Sequence, residues 1–194
     1  MTTPLSPSVS STGSSPPSDR VLLAYFRRVT AQLQAVEMPQ LAQLAAALET
    51  ARRSKQTVHI LGNGGSDANA AHAVLHLREC GVRARDLLAD LPHLTALSND
   101  HSYQDAPRLA LRQADATDAL LVITGSGESA NVLLALLEAR KRGLTTLGLL
   151  GFGGGAAAQL CDAALTLNCC EYGPVEDTHS VCIHALQAAL KGSG

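Results

Sequence analysis

Residues 57–66 read TVHIL followed by GNGGS, and they give the first indication of the fold class of this chain. Residues 57–61 are apolar or β-branched apart from one histidine, which is typical of a buried strand, and the loop after them is rich in glycine. Residues 119–129, ALLVIT followed by GSGES, repeat this order of a buried strand and a loop of glycine and hydroxyl residues. Apolar residues at helical spacing follow each loop, so the sequence predicts two strand-loop-helix units.

The alternation of strands and helices extends from these two units along the rest of the chain. The pattern predicts further strands at 82–88, 144–150 and 163–167 and a final helix at 175–191. It also predicts a short apolar segment before a polar loop at 94–98 and a helix at 104–115. Strands that alternate with helices form a parallel sheet covered on both faces, which predicts an α/β fold.

Composition divides the chain into three segments. Residues 1–18 are rich in Ser, Thr and Pro and are predicted to form a disordered tail, because they have almost nothing to bury. Residues 19–56 carry apolar residues at helical spacing around Pro39 and predict two helices that precede every strand. These helices are expected to be an N-terminal arm for packing or oligomerisation, and residues 57–194 are the predicted core.

The composition also excludes several classes of function. A chain of 194 residues, 46% apolar and 16% charged, suits one folded domain. A net charge of −2 and an aromatic content of 3%, without Trp, argue against a nucleic-acid-binding or membrane-binding protein. There is no apolar run of membrane-spanning length and no signal-peptide pattern, so a cytoplasmic protein is expected.

The two glycine-rich loops are candidates for binding a phosphate. Ligands of parallel α/β sheets sit at the carboxyl ends of the strands, where both loops begin. Glycines let the backbone approach a ligand, and the free N–H groups at the start of the next helix favour an anion. The serine and threonine hydroxyls of both loops add donors, so a phosphorylated small molecule is the predicted ligand.

Four residues on two distant helices form a candidate metal-binding set. His72 and His76 are four residues apart, and Glu176 and His184 are eight apart, so each pair shares one face of its helix. Together they offer three imidazoles and one carboxylate, which suit Zn²⁺ or a similar divalent ion. From the residues alone, an alternative interpretation stays open: the two helices are unrelated, and their histidines face solvent or the core without binding a metal.

Taken in order, these motifs resemble the sugar isomerase (SIS) domain, and most of all the bacterial phosphoheptose isomerases. The resemblance rests on the loop 62–66 with His72 after it, Ser98-Asn99-Asp100, residues 124–131, and residues 176–179 with His184. It covers about residues 21–191. It implies a five-stranded parallel sheet flanked by helices, a homotetramer with active sites at its interfaces, and isomerisation of sedoheptulose 7-phosphate to an aldose phosphate.

The resemblance also implies a role for each matching residue. The residues expected to bind the sugar phosphate are Asn63, Gly64, Gly65, Ser66, Asn99, Asp100, Thr124, Gly125, Ser126, Ser129 and Glu176. The matched zinc ligands include His72 and His184, and His184 also matches a proposed catalytic histidine.

Two substitutions separate this chain from the usual pattern of the isomerases. His76 stands where they usually have a glutamate that acts as ligand and proposed base, and Glu176 stands where glutamine is common. We therefore expect Zn²⁺ on His72, His76, Glu176 and His184, with Glu176 as the preferred base and His184 as acid or relay. His76, at the usual position of the base, is the third candidate catalytic residue.

The resemblance also allows a function of a different class. Some SIS proteins are adaptors, including one that associates with the bacterial replication initiator, and others bind a sugar phosphate only to regulate a partner. Three histidines and a glutamate at ligand positions favour the isomerase over such an adaptor.

Overall fold

The computed structural model describes residues 19–192, which form a five-stranded parallel sheet covered by helices. In space the strands run in the order β2-β1-β3-β4-β5, and their bounds are β1 Thr57–Leu61, β2 Arg83–Asp86, β3 Ala119–Thr124, β4 Thr145–Leu150 and β5 Ala163–Thr166. The α/β fold class and the five parallel strands are confirmed. The predicted tail at 1–18 lies outside the described residues.

Seven α-helices cover the sheet in this part of the chain. Their bounds are α1 Asp19–Gln34, α2 Met38–Arg53, α3 Gly65–Glu79, α4 Leu91–Asp100, α5 Ala106–Ala110, α6 Ala130–Arg142 and α7 Tyr172–Gly192. Two 3₁₀ segments, Leu111–Gln113 and Phe152–Gln159, complete the described elements. The two helices expected before the first strand are present as α1 and α2.

Three elements differ from the sequence prediction. Helix α4 replaces the predicted apolar segment and polar loop, because Asp90 caps it by accepting a hydrogen bond from the His93 N–H and Pro92 suits its first turn. The predicted helix at 104–115 is only α5 followed by a 3₁₀ turn. Helix α7 begins at Tyr172, one turn earlier than expected, which brings Tyr172 to the edge of the sheet.

The order of the strands reverses between β1 and β3. From β1 the chain moves outward to β2, whereas from β3 it moves the other way to β4 and β5. β1 and β3 are hydrogen-bonded neighbours, with Leu61 opposite Val122, so the loops that follow them lie side by side. Such a switch point is where open α/β sheets bind their ligands.

Two apolar layers hold this edge in place. One packs α2, α3 and α7 against Val58, Ile60 and Leu121, and the other packs α5 and α6 against Leu61 and Val122. All six residues of β3 are buried, as expected for the central strand of a sheet that is covered on both faces. Within residues 19–192, no helix is long and apolar enough to cross a membrane.

The central strand provides a test of this packing. Leu121 is 2% exposed, and Leu121→Ala should lower the free energy of unfolding by about 2–5 kcal/mol, because it leaves a cavity in the core. Urea denaturation followed by circular dichroism measures the change. The control is Leu137→Ala on α6, where the side chain is 51% exposed and a much smaller loss is expected. Equal losses in the two variants would contradict the assignment of Leu121 to the core.

Candidate active site

A pocket of about 160 Å³ lies at the switch point between β1 and β3. It is lined by seven of the predicted residues and by one tyrosine: Asn63, Ser66, Thr124, Gly125, Ser126, Ser129, Glu176 and Tyr172. The two glycine-rich loops provide most of the wall, and the first turns of α7 provide the rest. The starts of α3, α6 and α7 therefore meet at one pocket, and the N-termini of helices favour an anion.

The hydroxyls of the second loop are oriented by the backbone of the same loop. Thr124 Oγ1 accepts a hydrogen bond from the Gly127 N–H at 3.2 Å, and Ser126 Oγ accepts one from the Glu128 N–H at 3.2 Å. A hydroxyl that accepts in this way keeps its own proton to donate. The loop can therefore donate O–H groups to an anionic ligand.

The side chain of Asn63 is held by two residues to which the sequence analysis assigned no role. Asn63 and the buried Asn131 exchange amide hydrogen bonds of 2.9 and 2.8 Å, and Tyr103 Oη donates to Asn63 Oδ1 at 2.6 Å. These contacts fix the orientation of the Asn63 amide at the pocket. Asn131 stood within the quoted 124–131 motif, whereas no signal in the sequence linked Tyr103 to Asn63, forty positions away in the chain.

Tyr172 is a pocket residue that sequence reasoning missed. A Cβ at Gly125 would lie 2.8 Å from carbon atoms of the Tyr172 ring, so the absence of a side chain at 125 makes room for this ring. The ring also packs on Phe152, with 4.8 Å between the centroids. Gly125 therefore contributes to the pocket mainly by leaving space for the Tyr172 ring, which forms part of the wall.

The Glu176 carboxylate points toward the start of α3. A Cβ at Gly65 would overlap both of its oxygens, and Asn69 Nδ2 on the next turn donates to the Glu176 carbonyl at 2.9 Å. Burial, with a smaller contribution from the charge of Asp177, raises the pKa of Glu176. A carboxylate with a raised pKa is a stronger base, as proton abstraction from carbon requires.

Three of the four predicted metal ligands lie together between α3 and α7. One ligand atom from each of His72, His76 and His184 lies within 4.8 Å of the others, and the Nε2 atoms of His72 and His184 are 3.1 Å apart. Burial, followed by the neighbouring His76 and His184, lowers the pKa of His72, which favours the neutral form that can bind a metal.

The His76 ring fits the same interpretation. Its buried Nδ1 has no hydrogen-bond partner within residues 19–192, and the nearest carboxylate oxygen of an ion pair, Glu79 Oε2, is 3.7 Å away. Three converging imidazoles, one with an unsatisfied nitrogen, are a donor set that fits Zn²⁺ or a similar divalent ion.

Glu176, predicted as the fourth ligand, is not a member of this histidine group in the described chain. Eight residues of helix separate Glu176 from His184 by about 12 Å along the axis, and helical side chains lean toward the N-terminus. A shared face of α7 therefore does not by itself bring the carboxylate to the imidazoles, and the structure directs it to Gly65 instead. Glu176 as a metal ligand stays a prediction.

Besides Gly65, three predicted substrate-binding residues lie outside the wall of the pocket. Asn99 and Asp100 are exposed at the end of α4, where Asn99 Nδ2 donates to Asp100 Oδ1 at 3.0 Å. Gly64 precedes α3 with a φ of +56°, and a Cβ there would meet nothing within 4 Å. The roles expected for these three residues stay predictions.

The fold and the site define a class: an α/β protein with a pocket of glycine and hydroxyl loops at the switch point of a parallel sheet. The SIS domain family matches residues 23–151, more than half of the chain, and the chain belongs to this family. The prediction of this family is therefore confirmed.

Among the similar proteins, several are named as phosphoheptose isomerases. A phosphoheptose isomerase from Pelobacter propionicus is 37% identical over 166 residues, 81% of this chain and 88% of its own. One from Nitratiruptor sp. is 36% identical over 150 residues, 74% of this chain and 80% of its own. The structure of the phosphoheptose isomerase from Neisseria gonorrhoeae has a TM-score of 0.84 and 25% identity, and the match covers 90% of this chain and 98% of that one. These relatives are isomerases, and the prediction of an enzyme of this kind is confirmed.

The contact between Gly65 and Glu176 provides a test of the site. With Glu176 as the predicted base, Gly65→Ala should displace its carboxylate and lower kcat by about 100-fold, because misplacing a reacting group by an ångström has an effect of this size. Steady-state kinetics measure the change, and thermal unfolding checks that the fold is intact. In the double variant Gly65→Ala/Glu176→Gln, the alanine should cause little further loss. Additive losses would show that Gly65 does not act through Glu176.

Proposed function

We propose that the protein is a metal-dependent ketose–aldose isomerase that acts on a higher-carbon sugar phosphate, with sedoheptulose 7-phosphate as the expected substrate. The observation that carries this proposal is one pocket in which the loop 124–129 faces the Glu176 carboxylate. The three histidines lie further along the same pair of helices. The kinship with phosphoheptose isomerases supports the choice of substrate.

The phosphate group would bind at the loop after β3. The hydroxyls of Thr124, Ser126 and Ser129 line that end of the pocket, and α6 begins immediately after Ser129. Among the described residues, no Lys or Arg lines this pocket. Hydroxyls, backbone amides and helix N-termini suffice for a phosphate dianion.

Glu176 would move the proton between the two carbons. As a base it takes a proton from C1 of the ketose while the C2 carbonyl oxygen gains a proton, which forms an enediol; the return of a proton to C2 and the loss of one from the C1 oxygen give the aldose. His184 is the proposed relay for the protons on oxygen. His76 would act mainly as a metal ligand, because its ring lies in the histidine group.

The histidines His72, His76 and His184 would hold the divalent ion. When bound, such an ion supplies a Lewis acid for the carbonyl and hydroxyl oxygens of the sugar. In this proposal Glu176 acts as the base and the three histidines are the ligands, so metal binding does not lower the proton affinity of the carboxylate. The non-catalytic adaptor or sensor needs neither a carboxylate in the pocket nor a group of imidazoles, and no described feature favours it.

A homotetramer with interfacial active sites is part of the proposal. Along Asp19–Gln34, all of which is described, no residue is buried, and Val21, Leu22, Leu23 and Phe26 are each more than half exposed. An apolar helix face of this size favours contact with another subunit. Tyr25 Oη on this helix donates to Asp177 at 2.6 Å, which links the proposed interface to the residue after Glu176. Light scattering coupled to size exclusion tests the tetramer.

The activity itself is tested by incubating metal-loaded protein with sedoheptulose 7-phosphate and following the anomeric proton of an aldose by NMR. Product that disappears with a chelator and returns with Zn²⁺ is the expected result. No product from fully metal-loaded protein would overturn this substrate.

Glu176→Gln should lower kcat by about 10²- to 10⁴-fold, the usual contribution of a general base, because the amide cannot accept the proton. Metal content by atomic absorption should stay unchanged, since the three histidines remain. The control Glu138→Gln, on α6 and away from the pocket, should keep full turnover. Full turnover of Glu176→Gln with metal bound would reassign the base.

His72→Ala should remove the bound divalent ion, because the histidine group loses the imidazole that lies against His184. Metal content after dialysis is the measurement, and it does not depend on any assay of activity. His93→Ala, on α4, is the control and should keep the metal. Retention of the metal at wild-type stoichiometry by His72→Ala would contradict the proposed site.

A further inference from the structure

A second cavity, larger than the pocket at the switch point, lies elsewhere on the sheet. It is an open groove of about 470 Å³ at the opposite end of the sheet, where β1 and β2 begin. We call it the amino-edge groove and define it by His59, Arg78, Arg83, Arg85, Asp115 and Asp118. Its volume is in the range of small-molecule binding sites.

The register of the two strands explains how the groove forms. His59 on β1 lies opposite Arg85 on β2, and Thr57 lies opposite Arg83, so these four side chains project from one face of the sheet. On that face α5 and α6 cover Leu61, Leu120 and Val122, further toward the middle of the sheet. The polar starts of β1 and β2 are left as the floor of the groove.

Three guanidinium groups line the groove, and residues 19–192 supply no carboxylate ion pair for any of them. Arg78 Nε donates to the Ala84 carbonyl at 2.8 Å, and an Arg83 N–H donates to the Lys55 carbonyl at 3.2 Å. The Arg85 side chain is half-buried, and its guanidinium forms no hydrogen bond with residues 19–192. A half-buried guanidinium with its donors unused is suited to an anion, and above all to a phosphate.

The two carboxylates of the groove differ in their capacity to accept further hydrogen bonds. Asp118 is buried and fully engaged: its oxygens accept hydrogen bonds from the Thr57 N–H at 2.8 Å, the His59 ring at 3.0 Å and the Asp115 N–H at 3.1 Å. Asp115 is exposed, and its carboxylate is free to accept hydroxyl groups. The groove therefore combines anion-binding arginines with one available acceptor.

His59 forms the deepest part of the groove. It is 4% exposed, its Nε2 is committed to Asp118, and its Nδ1 has no partner within residues 19–192. Burial lowers the pKa of His59 and the charge of Arg85 lowers it further, while the hydrogen bond to Asp118 and the charges of Asp118 and Asp115 raise it. A neutral ring that donates Nε2–H to Asp118 leaves Nδ1 as an acceptor.

We propose that the amino-edge groove binds a phosphate monoester that carries hydroxyl groups, a nucleotide or a free sugar phosphate, at a second site distinct from the active site. Arg85, Arg83 and Arg78 bind the phosphate, and Asp115 accepts the hydroxyls. β1 runs from His59 in this groove to the glycine loop at Gly62, so the two sites share a strand.

The test is calorimetric titration of the full-length protein with AMP, ribose 5-phosphate and inorganic phosphate. At least one of the two esters should bind saturably, and Arg85→Gln should weaken that binding about tenfold or more, the effect of losing a charge-assisted hydrogen bond. Which ester binds tells a nucleotide from a sugar phosphate. Arg27→Gln, an exposed arginine on α1, is the matched control and should bind as the wild type does.

Two further variants separate this site from the active site. Ser126→Ala, in the pocket at the switch point, should leave binding at the groove unchanged. Asp115→Asn should lower the affinity for the ester relative to that for inorganic phosphate, because only the ester has sugar hydroxyls that reach a carboxylate beside the phosphate site. Arg83→Gln replaces Arg85→Gln if the latter unfolds. The proposal is overturned if neither ester binds saturably, if Arg85→Gln binds as tightly as Arg27→Gln, or if binding is lost in Ser126→Ala.

Discussion

The parallel packing of α3 against α7 is the constraint on which the active site depends. Residue numbers rise together along the two helices: Gly65 lies against Glu176, His72 meets His184, and Glu79 accepts from Gln187. The side chains of the candidate site therefore follow one another along the contact between α3 and α7. The carboxylate lies near the starts of the two helices, and the imidazoles lie about two turns further along.

This arrangement allows the Glu176 carboxylate and the three imidazoles to have separate roles. In a single cluster the carboxylate would be both the base and a metal ligand. A carboxylate that binds a metal is a weaker base, and one that lies at the start of α3, partly desolvated and next to Asp177, keeps its basicity. The loop 124–129, proposed to bind the phosphate, begins at the end of strand β3 and lines the same pocket. The proposed reaction then needs no ligand to leave the metal before a proton can move.

The sequence predicted the sheet and most of the pocket because both depend on local patterns. A short run such as ALLVIT, rich in β-branched residues, is typical of a buried central strand, and the glycine and hydroxyl loops mark the strand ends where ligands bind. The contacts of Tyr172 with Gly125 and of Tyr103 with Asn63 were missed, because they join distant parts of the chain and follow no spacing rule. Helix α4 was missed because its proline was not recognised as a first-turn residue. The first turn of a helix tolerates proline, and here Asp90 caps that turn. For Glu176 the helical period predicted the correct face of α7, but periodicity gives no information about which way along the axis a side chain leans.

No Lys or Arg of residues 19–192 lines the pocket at the switch point, and this affects how binding there should respond to ionic strength. Hydroxyls, amides and helix starts hold an anion through short hydrogen bonds, and these are screened far less than exposed charges, whose fields decay over about 8 Å at physiological salt. Recognition in that pocket follows the tetrahedral shape of the anion more than its charge. The arginines at the other end of the sheet depend on long-range attraction, so the two ends of β1 should differ in how strongly added salt weakens them.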